Sequence, residues 1–306
     1  MSSKSNVSKI RGLILVLTAA ISWGGSGAVA QYLFQHQGIS TEWLTVMRLL
    51  LAGILMLFFG YKRAKQRIWE IWKDKRDRLE LVLYGIFGML AVQYTYFKAI
   101  YHGNAATATV LQYLAPILVT CYLAIRSKQF PTVKKLFAMS LAVLGTFFLI
   151  TKGNIHTLSI SGGVLFWGLS SAFALTIYTI QPQKLLTKWG SSLIVGWGMV
   201  IGGIIFSFAY PPWRFEGQWS YSTSIAFLFI TLFGTIIASY CYLQSLKYLS
   251  PSEASLLACV EPLSAVVLSV IWLHINFGLA EWIGTLCIMS TIFILSISNE
   301  KESQDR

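Results

Sequence analysis

Three polar residues stand inside long apolar runs and have side chains able to do chemistry there: Glu261, Arg48 and Gln112. A carboxylate can hold an ammonium group or carry a proton. A guanidinium can hold a carboxylate, and an amide offers both a donor and an acceptor. Charged groups at the centre of a bilayer cost about 2.5–3.5 kcal/mol on insertion scales. Glu261 must therefore face an interior site or be protonated. Counted from Ser252 at 1.5 Å per residue, it lies about 14 Å deep, near the midplane of a ~30 Å hydrocarbon core. Ala254, Ala258, Glu261 and Ala265 follow helical spacing, which puts the acid on a face of small residues. Pro262 comes next, lacks an N–H, and frees a carbonyl one turn earlier, near Ala258. A freed carbonyl beside a carboxylate suits an ammonium group or a proton. A structural Glu satisfied by a neighbouring helix is an equal alternative.

A similar arrangement occurs earlier, with Ala108, Gln112, Ala115 and Val119 on one face and Pro116 as the break. Pro116 and Pro262 are thus expected as paired helix breaks. For Gln112, pairing with a backbone carbonyl is favoured over ligand contact. Arg48 lies roughly 9 Å inside the outer boundary. It could balance Glu261, bind a substrate carboxylate or snorkel outward. Lys98 reads as an interfacial anchor. Among the aromatics, Trp23, Tyr94, Trp167 and Tyr178 fall well inside apolar runs, as do Tyr113, Trp197 and Tyr240. The first four are expected to help line a substrate site. Trp69, Trp72, Trp213 and Trp219 fit interfacial belts. Glu253 and Glu281 suit first helical turns. His36, His102, His156 and His274 map to outer loops or ends as solvated residues.

The elements that must position these groups are membrane-spanning helices. The chain has 306 residues, of which 55% are hydrophobic and only 12% charged, with mean hydropathy +0.62. A soluble domain carries about 25% charged residues, so an ordinary soluble enzyme and a disordered chain are both excluded. Ten apolar stretches are long enough to cross a bilayer: 11–33, 42–60, 80–101, 105–125, 133–151, 162–181, 191–210, 223–246, 252–273 and 279–298. The first has a charged start but is too long for a signal h-region and lacks an A-x-A site, so it is kept as a helix. The longest connection is the basic stretch Tyr61–Leu79. With the N-terminus inside, 20 Lys and Arg fall on the cytoplasmic side and 3 (Lys98, Lys152, Arg214) outside, with Arg48 in a span. The net charge of +12 is therefore a topology signal, reinforced by anionic lipid, and not a nucleic-acid footprint. Cys121, Cys241, Cys259 and Cys287 sit in apolar runs without ligand spacing and read as small fillers.

An offset of 146 aligns Tyr96–Pro116 with Tyr242–Pro262 without a gap, pairing Ala108 with Ala254, Leu111 with Leu257 and Pro116 with Pro262. Near the starts of the halves an offset of 150 pairs Gly12 with Gly162, Leu15 with Leu165 and Gln31 with Gln181. The fold class expected is an all-α integral membrane protein of two five-helix repeats, 1–151 and 152–306. Five is odd, so the second copy enters the membrane from the opposite side. Inverted repeats of this kind enclose midplane sites in secondary transporters.

In this light the chain resembles the EamA family of the drug/metabolite transporter superfamily. The resemblance is carried by Ser22-Trp23-Gly24, Met47-Arg48-Leu49, the stretch Gly103–Pro116, Pro251–Pro262 and Glu281-Trp282-Ile283-Gly284, in that order over nearly the whole length. It implies a ten-helix transporter of small metabolites, often an amino-acid exporter, with a central cavity between the halves. The family's Leu-Gly-Glu turn after span nine is replaced by Leu273-His274-Ile275-Asn276, so a glutamate role at that turn does not carry over.

No Walker sequence or H-E-x-x-H occurs, and Gly24-Gly25-Ser26-Gly27 lacks a nucleophile-elbow setting; it reads as a thinned helix surface for packing. The reading is a non-enzymatic secondary transporter in the plasma membrane, multi-pass, with both termini cytoplasmic. It moves amino acids or related metabolites by uniport or proton exchange. No cofactor, metal or nucleic acid is expected. The partners are a small-molecule substrate and the lipid bilayer, in a monomer or homodimer. A cationic-drug or other metabolite exporter is the alternative within transport; a lipid scramblase or membrane-embedded enzyme is the alternative outside it.

Overall fold

The structure, a computed structural model, describes residues 2–64, 67–128, 132–152, 160–245, 248–249, 254, 257–258 and 260–304. All regular elements among them are helical. They are α1 (Ser2–His36), α2 (Thr41–Ala64), α3 (Arg67–Glu70), α4 (Lys75–Leu83), α5 (Ala91–His102), α6 (Ala105–Gln112), α7 (Ala115–Ser127), α8 (Val133–Thr151), α9 (Gly162–Ile180), α10 (Gln183–Trp189), α11 (Ser191–Ala209), α12 (Tyr221–Thr231), α13 (Ala238–Ser245), α14 (Val260–Ile271) and α15 (Leu279–Gln304). Among the described residues, seven continuous helical stretches are long and apolar enough to cross a membrane. Three shorter apolar helices, Leu136–Leu149, Val260–Ile271 and Leu279–Thr291, accompany them.

Local chemistry sets the helix ends. The Asn104, Ser161 and Ser220 side chains accept from the N–H groups of Thr107, Val164 and Thr223, capping α6, α9 and α12. Two long stretches contain a π-helical segment, Tyr84–Leu90 between α4 and α5 and Leu232–Ile237 between α12 and α13. Each holds a glycine, Gly88 and Gly234, at the 146-residue spacing. Pro116 sits in the first turn of α7, and the chain leaves the helix at Tyr113 and Leu114 just before it. Near Pro262, α14 begins at Val260, and the Glu261 N–H turns back tightly onto the Ala258 carbonyl at 2.9 Å.

α2 packs along α11, and α8 along α15; α5 lies on α9, while α1 lies on α13 and α14. Small residues bring these backbones together. A Cβ built on Gly53 would lie 2.8 Å from Val200 Cγ2, and one on Gly203 would lie 2.8 Å from Leu50 Cδ2. Adding 150 to the numbers of one pair, Leu50 and Gly53, gives the other, Val200 and Gly203. One apolar core joins Leu81, Tyr84 and Met89 to Trp197 and Ile201, and another joins Leu33, Trp43 and Phe97 to Phe227 and Ile230.

The connection Tyr61–Leu79 contains helical structure among its described residues. Helix α2 runs on to Ala64, α3 forms a single turn, and the Asp74 side chain caps α4 by accepting from the Arg76 and Asp77 N–H groups. Asp77 is buried there despite its charge, because α10 supplies it with partners.

Candidate functional site

Glu261 is partly buried in the first turn of α14. Its Oε2 accepts a hydrogen bond of 2.7 Å from the Tyr113 hydroxyl, on the non-helical link between α6 and α7. The same hydroxyl lies 3.3 Å from the Ala258 carbonyl oxygen. That oxygen is the one Pro262 deprives of its usual helical donor. Two interrupted helices, 148 residues apart in sequence at this contact, thus meet through one hydroxyl. Helix α1 backs the acid directly: Gly24 lies against the Glu261 carbonyl and Ser264, and a Cβ there would also stand 2.9 Å from the Ala265 nitrogen. Only glycine permits that approach, which accounts for Gly24.

Arg48 is 6% exposed. Its Nε donates to Thr235 Oγ1 at 2.7 Å and its Nη2 to the Gly234 carbonyl at 3.1 Å, both in the second π segment. The guanidinium carbon lies 5.2 Å from the centroid of Phe97. Thr235 in turn donates to the Ile230 carbonyl at 3.1 Å. No ion pair joins Arg48 to Glu261 among the described residues. Gln112 Nε2 donates to Ser171 Oγ on α9 at 2.6 Å, a side-chain partner where a backbone carbonyl was expected. Nearby, the Tyr96 and Thr109 hydroxyls lie 2.8 Å apart. The Glu261, Arg48 and Gln112 side chains are thus met by residues far away in the chain, and the Glu261 carboxylate stands where two helix breaks converge.

An apolar helical bundle with a partnered carboxylate at converging breaks is the setting in which a family match carries most weight. The model of the EamA-like transporter family matches residues 10–151 and again 162–297. The chain belongs to the EamA-like transporter family. Among its relatives, the uncharacterized inner membrane transporter YicL of Salmonella typhimurium is 37% identical over 294 residues, covering 96% of this chain and 98% of the relative. The uncharacterized transporter YwfM of Bacillus subtilis is 24% identical, covering 94% and 95%. An uncharacterized transporter of Archaeoglobus fulgidus is 23% identical over 78% of this chain. A solved crystal structure superposes with a TM-score of 0.60 at 14% identity, covering 98% of both chains, and so shares the fold. This EamA member, of the drug/metabolite transporter superfamily, is a multi-pass membrane protein of transport.

The remaining expected site residues of this transporter make ring contacts with other aromatics. Trp23 packs on Tyr242 at 5.4 Å, between α1 and α13. Tyr94 and Trp167 touch each other at 5.7 Å and belong to a second polar group. There Glu42 accepts from the Tyr94 hydroxyl at 3.0 Å and pairs with Lys98 at 2.6 Å. Lys98 is therefore half of an ion pair. Tyr178 packs on the fully buried Tyr84 at 5.6 Å, within the core that contains Met89 and Trp197. Glu281 begins α15 as expected but also pairs with Lys152 at 3.0 Å. Glu253, Cys259 and His156 lie outside the described residues.

At the far end of α4, Asp77 joins the Lys188 ammonium at 2.6 Å and the Trp189 indole at 2.8 Å. The Asp77 contact holds the exposed Lys188 amine above its ordinary value. Hydrogen bonds from the Asp77 and Arg76 N–H groups hold the exposed Asp74 carboxyl below its own. Sequence reading missed Glu42, Thr235 and Ser171 as partners and treated Tyr113 only as one buried aromatic among several. The signal for Tyr113 was its place three residues before Pro116. Nothing in the sequence alone pointed from Arg48 to Thr235.

Proposed function

We propose that this protein is a secondary transporter that exports amino acids or related small metabolites by alternating access. Glu261 is the group that receives the substrate's ammonium or a proton. The observation that carries this reading is the 2.7 Å contact between Glu261 and Tyr113, which puts an intramembrane carboxylate where two interrupted helices meet. Such breaks bring irregular backbone and ion-binding groups to midplane sites. Arg48 spends two N–H groups on Thr235 and Gly234, and the rest of its fork is suited to a substrate carboxylate.

The proposed architecture is ten spans in two inverted halves, 1–151 and 152–306. It is supported by the 146-residue register and by one π segment and one proline break in each half. The exchangeable Gly53–Val200 and Gly203–Leu50 approaches support it further. Two such halves can rock about a common site without an external engine. The 20-to-3 distribution of Lys and Arg supports cytoplasmic termini and a plasma-membrane location.

The test is counterflow of radiolabelled amino acids in proteoliposomes, extended to a broad metabolite panel. Glu261→Gln is expected to lose most of the flux. Equal rates for both proteins between about pH 5.5 and about pH 8, the range in which tuned groups titrate, would remove Glu261 as a coupling group. Flux of organic cations alone would assign the cationic-drug alternative instead.

A further inference from the structure

We infer that Tyr113 is a specificity-determining residue whose hydroxyl competes with a primary ammonium group for Glu261. The inference rests on the reading of Glu261 as an ammonium site and adds the residue that keeps the site closed when empty. A phenol has a single hydrogen to donate. In Tyr113 that hydrogen faces two acceptors at once, Glu261 Oε2 at 2.7 Å and the Ala258 carbonyl at 3.3 Å. The shorter contact is in the range of a charge-assisted bond and holds the hydroxyl on the carboxylate.

An arriving ammonium group needs the same carboxylate lone pairs. A tyrosine displaced from a carboxylate inside a protein would ordinarily be left with a buried hydroxyl unmet, a substantial penalty. Here the second acceptor removes that penalty. The Ala258 carbonyl is deprived of its helical donor by Pro262 and, within its own segment, accepts a tight-turn bond from the Glu261 N–H at 2.9 Å. A carbonyl has two lone pairs, so room for the hydroxyl remains. A small swing of the phenol closes the 3.3 Å gap while the carboxylate turns to the ammonium.

Tyr113 thus has two positions, one on the empty acid and one on the backbone of the loaded site. Because it stands on the link between α6 and α7, each position ties that link to a different point of the α14 break. The selectivity that follows is for ligands able to outbid a hydroxyl: cationic donors, with small primary ammonium groups before neutral amides.

The experiment reads Glu261 itself, without a transport substrate. The full-length protein in lipid nanodiscs is treated with a hydrophobic carbodiimide, and Glu261 modification is followed by peptide mass spectrometry relative to Glu281 in the same sample. Tyr113→Phe is expected to speed Glu261 modification about tenfold, the factor that matches loss of one bond of about 1.4 kcal/mol. Ethylammonium is expected to protect Glu261 at about one-tenth the concentration needed in the unsubstituted protein. If Tyr113→Phe does not fold, Tyr113→Leu is judged by the same two ratios. Rates unchanged within about twofold, a change below ~0.4 kcal/mol, would overturn the inference and leave the transport reading standing. Faster modification with no ethylammonium protection in either protein would overturn it together with the ammonium reading of Glu261.

Discussion

The two π-helical segments occupy matching places in the sequence but face opposite kinds of neighbour. Opposite Leu232–Ile237 stands Arg48, whose guanidinium bonds Gly234 and Thr235. The residue 150 positions after Arg48 is Gly198, and the residue 146 positions before Thr235 is Met89. Those two also come together: a Cβ on Gly198 would lie 3.7 Å from Met89 Cβ and 2.7 Å from the ring of Tyr84. One location is therefore polar and charged, and its counterpart is apolar and filled by a 1% exposed tyrosine ring. A widened helical turn offers a carbonyl for outside use. Among the described residues, the second segment alone uses that offer for a cation. The two segments thus share their helical geometry and differ in the chemistry of what faces them.

The largest test of this contrast is Arg48→Leu. It leaves Gly234 and Thr235 without their charged donor and is expected to cost about 3 kcal/mol, read as a fall in thermal unfolding temperature in detergent. A loss under ~1 kcal/mol would mean the two segments are equivalent as supports. Next comes Gly198→Ala, which overpacks the apolar counterpart against Tyr84 and should cost about 1–3 kcal/mol. In a Tyr84→Leu background the same substitution should cost much less. Additive costs would show that Tyr84 is not what fills the place that Arg48 fills in the other half. Thr235→Val removes the acceptor of Arg48 Nε and should cost about 1–2 kcal/mol, with a smaller effect for Met89→Leu.

The smallest effect concerns the rim of the apolar side. Lys188→Met should barely move the unfolding temperature but should change Trp189 fluorescence, since both side chains bond Asp77. The Lys188 amine is held above its usual value in the folded protein. Its contribution is fully present below the ordinary lysine value and is lost as pH rises through the folded one. The Trp189 signal of the unsubstituted protein should change in that alkaline window and stay unchanged there in Lys188→Met.

Much of the arrangement was legible in the chain. Apolar runs fixed where helices form, because backbone groups in lipid must be satisfied within the segment. Pro116 and Pro262 marked the interruptions, because neither can donate to the turn before it. Glu261 and Arg48 stood out because charge among apolar residues is costly. The assignment of aromatic rings was not legible. Trp23, Tyr94, Trp167 and Tyr178 have the same amphipathic character, yet Trp23 packs on Tyr242 and Tyr178 on Tyr84, while Tyr94 and Trp167 pack on each other.

Composition and spacing thus determined the helical membrane class, the duplicated pattern and the unusual residues, since those depend on transfer energies and backbone geometry that act locally. Partner choice was decided only by the tertiary structure. Hydrogen bonds from Tyr113 to Glu261, from Arg48 to Thr235 and from Gln112 to Ser171 join residues 59 to 187 positions apart. A contact of a few ångströms at such separations depends on how whole helices cross, and no local preference encodes that.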